Sequence, residues 1–324
     1  MANRGISLER LRTLHQRQSR PRWLGQYQPA IRATPKEAPS MSRPTILTPR
    51  KLEGREMHLL SQPETAAALL ALYNPDVFDI HEQRVLDTTP CAHPLAEHPL
   101  AMGLDLKPMR GTVEVADSLG VLGHHPKLFA KVDEATAGTW VPFPYIGDLL
   151  LYLRDEAGPY CVNWTVKNEL SAFQRRGPQL LHRPHDDSPD LGAIARHRIE
   201  AQYYEDAAIR TVQVTEDAID RHLRYNLAQL FGWHRRPINA SGDVRIQLLR
   251  FFESHVGGTT VVNDLVICAQ REHGLSRDDV LAVLNQAIWN RELSVDLFKP
   301  YLIDRPLRSP VQDPLDRYAD WFSR

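Results

Sequence analysis

Sulfur and long apolar runs are both scarce in this chain, and each scarcity removes a class of protein. Three cysteines, Cys91, Cys161 and Cys268, stand in 324 residues without a C-x-x-C spacing. That excludes a disulfide-stapled scaffold and a zinc ribbon. No apolar run approaches the roughly 18 residues of a membrane span, and the first fifty residues hold no apolar signal core. The expectation is a soluble, cytoplasmic protein of a reducing compartment, with no membrane partner. A G-x-x-x-x-G-K-[ST] loop is missing, so any use of ATP belongs to a partner. Acid is scarce in one place only: residues 1–55 carry 12 Lys+Arg against 3 Asp+Glu, although the whole chain is nearly neutral at −1.

That basic stretch is also rich in Pro, Ser and Gln and lacks a sustained apolar period, so residues 1–52 read as an extended N-terminal arm. Such an arm can lie along phosphates and add salt-sensitive affinity for nucleic acid. The remainder, with 42% apolar residues overall, has enough for real cores. "SQPETAAALLALYNP" predicts a helix of about three turns ending at Asn74-Pro75, and "VFDIHEQRVL" a strand. Residues 87–140 show no period and suggest an irregular layer. "DLLLYLRDEAGPYCVNWTVK" predicts a hairpin turning at Asp155–Gly158, and residues 169–190 a loop-rich passage. "LGAIARHRIEAQYYEDA" reads as a helix and "IRTVQV" as a strand. A further helix follows, capped by Thr215 and carrying Ile219, Leu223, Leu227 and Leu230 on one face. A domain boundary is expected near 235.

The hairpin turn places Asp148 across from Thr165, and opposed side chains share a face. Residues 163, 165 and 167 share that face too, so Asp148, Thr165 and Lys167 project together while Val162, Trp164 and Val166 fill a core. An aspartate on one strand and a lysine about twenty residues later on the next is the spacing of PD-(D/E)xK nucleases. Hydrolysing a phosphodiester needs Mg²⁺ held by carboxylates and a group that orients or deprotonates the attacking water. A salt bridge at a strand end is the alternative reading of the same pair.

Three blocks, in order over roughly residues 50–235, resemble the TnsA endonuclease subunit of heteromeric cut-and-paste transposons, a family that includes CRISPR-associated members. "GREMHLLSQPETAAALLALYNPDVFDIHEQRVL" is similar to its entry segment, "YIGDLLLYLRD" with "WTVK" to its strand pair, and "HRIEAQYYEDAAIRTVQVTED" to the following helix and strand. The resemblance implies an α/β restriction-endonuclease-like PD-(D/E)xK domain over 53–235, a winged-helix-like α+β domain over 236–305 and a tail over 306–324. It implies catalysis by Glu64, Asp148 and Lys167, with Mg²⁺ (or Mn²⁺ in its place) on Glu64 and Asp148 and a second ion on Glu200. The implied partners are transposon-end DNA, a TnsB-like DDE transposase and a TnsC-like AAA+ ATPase, in a bacterial, nucleoid-associated setting.

Each assignment has a structural counterpart. Glu64 stands three after Ser61, which is also a capping box, and Glu200 has charged neighbours that suit a solvated face. Gln83 reads as structural. Thr165 is the main departure, because the family supplies a longer polar side chain there. The Val166 carbonyl, Asn163 or water then completes the shell, or the site is weakened and the chain is a non-catalytic assembly subunit. A stand-alone restriction-type nuclease is the other alternative. Cys91, His93 and His98 read as loop residues rather than zinc ligands, and "HHPK" at 124–127 as a loop or a phosphate contact. In the C-terminal part a helix, a Gly274-Leu-Ser turn, a second helix capped by Ser276 and then strands are expected. Arg277-Asp278-Asp279 at the second helix start suits protein contact better than base reading.

Overall fold

Apolar residues from Leu149 to Leu153 are all buried, which requires a strand covered on both faces. They form the middle of β6 (Tyr145–Asp155), at the centre of a four-stranded sheet ordered β3-β6-β7-β8. The computed structural model describes residues 6–40, 42–130, 138–175 and 189–324. Parts of two expected irregular passages, 131–137 and 176–188, lie outside the described residues.

The chain enters through α1 (Leu8–Gln18), the short pair β1 (Thr45–Leu47) and β2 (Met57–Leu59), then α2 (Gln62–Tyr73) and β3 (Val77–Leu86). The passage expected to be irregular holds α3 (Thr112–Ser118) and a two-stranded ladder of β4 (Lys127–Ala130) with β5 (Thr139–Pro142). β6 and β7 (Gly158–Lys167) make the hairpin, α4 (Leu191–Glu205) crosses over, and β8 (Arg210–Thr215) returns parallel to β7. The rest is helical: α5 (Arg221–Phe231), α6 (Gly242–Ser254), α7 (Val262–His273), α8 (Arg277–Trp289), and the short α9 (Pro314–Arg317) and α10 (Ala319–Phe322). No helix among the described residues is long and apolar enough to cross a membrane.

The hairpin turn falls where the Asp-Glu-Ala-Gly sequence puts it. Asp155 pairs with Gly158, whose φ of 113° suits glycine, and the register runs to Leu149 opposite Trp164. Leu150, Tyr152 and Cys161 face Ile199, Tyr203 and Tyr204 of α4. On the opposite face Trp164 meets Trp321 and Phe322 of the C-terminal tail, and its Nε1 donates to the Trp321 carbonyl at 2.8 Å.

Contacts divide the chain into two units, residues 1–68, 76–218 and 321–324 in one, residues 69–75 and 219–320 in the other. The boundary expected near 235 is therefore corrected to 218/219, because α5 packs with the helices that follow it. In the second unit the buried residues include Leu223, Leu227 and Leu230 of α5, Leu248 and Phe252 of α6, Leu265 and Val266 of α7, and Val280, Val283 and Leu284 of α8. Asn226 ties α5 to the chain after α8, donating to the Leu297 and Lys299 carbonyls and accepting from Tyr301 N.

Three further expectations are corrected. The described residues of the expected N-terminal arm are folded, not extended. Ser7 caps α1, Leu11 and Leu14 pack with Val85, Leu128, Ala130 and Phe143, and Tyr27 stacks on His81 at 3.8 Å. Leucines at spacing three decide the local structure although arginine dominates the composition. Thr215 is the last residue of β8, held by pairing with Lys167, and Asp220 caps α5 instead. After α8 the expected strands do not form among the described residues, where a single bridge joins Val261 to Pro306. Ser276 does cap α8, and Gly274 ends α7 with a φ of 65°.

Candidate active site

Asp148, Thr165, Lys167 and Glu200 come together on the α4 side of the sheet, and Glu64 joins them from the start of α2. Asp148 Oδ2 accepts from Val166 N at 2.7 Å and lies 3.6 Å from Lys167 Nζ. Neighbouring antiparallel strands thus supply a carboxylate and an ammonium, both half-withdrawn from solvent. Lys167 Nζ also donates to the Val166 carbonyl at 3.0 Å and lies over the Phe173 ring.

Glu64 forms a displaced capping box. Ser61 Oγ accepts from Glu64 N and donates to Glu64 Oε1, but the carboxylate takes the Leu60 N–H rather than that of Ser61. Gln83 Nε2 adds a third donor, to Oε2 at 2.9 Å. A carboxylate has about four acceptor positions, so three donors leave one free. Burial, and next the charge of Asp148, push the Glu64 carboxyl up to about 7, against donation by Leu60 N and Ser61 and the charge of Lys167.

Glu200, for which a solvated face is the alternative to a metal-facing one, is 1% exposed. The charged neighbours misdirect; Ile199, Tyr203 and Tyr204 beside it are core residues that turn this side of α4 inward. Its Oε1 accepts from Thr165 Oγ1 at 3.0 Å and Asn163 Nδ2 at 3.2 Å. Its Oε2 and Asn163 Oδ1 have no hydrogen-bond partner among the described residues. Burial raises the Glu200 carboxyl, Arg196 opposes this and Asp148 adds to it. Gly147, next to Asp148, opens the space: a Cβ there would lie 3.2 Å from Leu86 Cδ1 and 3.6 Å from Glu200 Oε1.

Thr165 is thereby explained in structural terms. Its hydroxyl is a donor to Glu200. Thr165→Val keeps the shape and removes that donor, so stability measured by denaturant unfolding should fall by about 1–3 kcal/mol, the cost of stripping a buried polar group.

The donors here are carboxylate, carbonyl and amide oxygens, which suit a hard cation such as Mg²⁺ or Mn²⁺ and not zinc. Glu200 Oε2, which makes no hydrogen bond among the described residues and has His197 Nδ1 at 3.9 Å, Asn163 Oδ1, and the raised Glu64 and Glu200 carboxyls would suit a bound cation. As the side chains stand, no three His, Cys, Asp or Glu groups among the described residues gather closely enough to hold an ion. Cys91, His93 and His98 are likewise not gathered: Cys91 Sγ meets Tyr203 OH, and each histidine accepts from a nearby backbone N–H.

The Glu64 carboxyl has a measurable consequence. An acid raised from its ordinary 4.5 to about 7 keeps its proton in the folded chain where the unfolded chain has lost it. Stability therefore falls as pH rises from 4.5 to 7, by about 3 kcal/mol from this group. Unfolding at pH 5 and pH 8 should show that slope in wild type and its loss in Glu64→Gln.

Compared with protein-family models and with curated proteins, the chain finds no match.

Proposed function

We propose that this chain is a Mg²⁺-dependent DNA endonuclease that hydrolyses phosphodiesters at the 5′ ends of a transposon, working with a DDE transposase and an AAA+ regulator. The observation that carries the reading is Asp148 beside Lys167 on paired strands, with the buried Glu64 and Glu200 carboxyls close enough to feel the Asp148 charge. We read the mixed sheet with α4 packed on it, and Glu64 at the start of α2, as the PD-(D/E)xK arrangement, and α6 to α8 as a winged-helix core without strands among the described residues.

In this reading Glu64 and Asp148 would hold the metal, with the Val166 carbonyl as a further oxygen, and Glu200 would face a second ion. The bound metal would neutralise charge on the phosphate. Lys167, fixed against Asp148 and the Val166 carbonyl, orients or deprotonates the attacking water. Arg12, Arg20, Arg32 and Lys36 stay exposed on the folded N-terminal segment, where they suit DNA phosphates. Asp279 at the start of α8 is spent on Asn239 N and Ser276, which leaves little for a base edge and suits a protein partner.

Strand-specific end cleavage by the reconstituted complex, comparing wild type with Asp148 and Lys167 variants, tests this reading. Thr165 supports a second one, a weakly active or inactive assembly subunit, since its hydroxyl is committed to Glu200. Thr165→Gln decides between them: a large gain in rate means the native site is weak, and no gain means that the threonine is accommodated.

A further inference from the structure

Among the described residues Gln83 is the only non-glycine inside a strand with a positive φ, 51°. Asparagine tolerates this left-handed region and glycine is free in it; glutamine has neither advantage, so the conformation is strained and persists because its surroundings enforce it. Its side chain is 3% exposed.

Both ends of the residue show what enforces it. β3 and β6 pair at Glu82 with Leu149 and at Arg84 with Gly147, and the level between, Gln83 beside Asp148, is skipped. The Gln83 carbonyl instead accepts from Ala30 N at 3.0 Å and from Gln18 Nε2 at 3.1 Å. Gln18 Oε1 accepts in turn from Val85 N at 2.8 Å. One side chain of α1 therefore stands in for a neighbouring strand on the outer edge of β3. In the other direction the Gln83 amide reaches Glu64 Oε2, level with Asp148.

We propose that Gln83 is a positioning residue for the Glu64 carboxylate, and that Gln18, by holding the Gln83 backbone, makes the basic N-terminal helix part of the scaffold of the site. Its catalytic consequence rests on the endonuclease reading; its geometry does not. The strain has a function here because an unstrained β residue would project its side chain along the pleat and not toward the start of α2.

Full-length Gln83→Gly and Gln83→Ala both lose the amide, but only glycine relieves the backbone. Gln83→Gly should melt higher than Gln83→Ala, while both bind Mn²⁺ about 10-fold more weakly than wild type in calorimetric titration, the lower end of the effect of residues that orient metal ligands. Gln18→Ala should weaken Mn²⁺ binding in the same direction and to a smaller degree. On DNA, kcat should fall with KM unchanged. Wild-type Mn²⁺ affinity in Gln83→Gly, or no Mn²⁺ binding by wild type, would overturn the role of Gln83. Unchanged affinity in Gln18→Ala would overturn that of the helix. Failure of the endonuclease reading looks different: Mn²⁺ binding still depends on Gln83, yet wild type and Asp148→Asn act alike on DNA.

Discussion

Asp148→Asn and Lys167→Met should each lower strand-specific end cleavage by about 10²–10⁴-fold, the range for removing one group that acts in the transition state. Asparagine is the informative change at 148. Its amide oxygen can still accept from Val166 N, as Asp148 Oδ2 does at 2.7 Å, so the β6–β7 register is kept while the charge is removed. Alanine would also strip the buried Val166 N–H of its partner and mix a folding defect with a catalytic one. Lys167→Met keeps the aliphatic stem against Phe173 and deletes the ammonium that faces Asp148 at 3.6 Å. The double variant should be little slower than either single one, because groups that act as a unit do not add. Melting within about 4 °C of wild type is expected for Lys167→Met, since a half-exposed ion pair contributes about 0–1 kcal/mol. Full cleavage by either variant would remove this pair from the chemistry.

Much of that site was legible because two local codes agreed. The alternation in "CVNWTVKN" and the turn residues Asp155–Gly158 specify one hairpin, and hairpin register fixes which side chains share a face. The placement of Asp148 beside Lys167 follows from those two facts, and the structure realises it. What the alternation did not disclose is that both faces are covered: Asn163 and Thr165 are as buried as Trp164. Their donors, Asn163 Nδ2 and Thr165 Oγ1, both go to Glu200, a partner on α4 that no strand pattern can announce. The pattern in α4 itself is readable, since Ile199, Tyr203 and Tyr204 flank Glu200 at helical spacing, although the charged residues around Glu200 point the other way. In the N-terminal segment the arginines likewise mask the helical spacing of Leu8, Leu11 and Leu14. Gln83 is a different case. Its left-handed backbone comes from tertiary contacts with Gln18, Ala30 and Glu64, and its residue type argues against that conformation. Thr215 and Asp220 are both good caps, and only the parallel pairing of β7 with β8 decides which one a helix uses.

Arg55→Ala should destabilise the first unit by about 3–5 kcal/mol, enough to lower its melting temperature by roughly 6–20 °C. Arg55 forms a two-pronged ion pair with Glu82, both contacts at 2.9 Å or less, and their side chains are 4% and 0% exposed. Burial pushes the Glu82 carboxyl up and Arg55 holds it down, with His58 N donating to Oε1. Removing the guanidinium leaves a carboxylate with no exposure to water and only backbone donors beside it, and it must protonate or open the strand. The guanidinium also donates to the Ile80 carbonyl, so a second β3 group loses its partner. The cost is that of an orphaned charge rather than the worth of the pair. Replacing both, as Arg55→Met with Glu82→Leu, should therefore recover most of the loss. Arg55→Ala should in addition lose more stability between pH 5 and pH 8 than wild type does: without Arg55 the buried Glu82 acid is raised further and keeps its proton when folded, and that contribution is lost as pH rises through its folded pKa. Glu82 precedes Gln83, so the pair also anchors the strand from which the Glu64 contact is made. Chemical denaturation of the single and double variants at the two pH values measures all of this without DNA or metal, and equal stability of Arg55→Ala and wild type would show that Glu82 is not held as an ion.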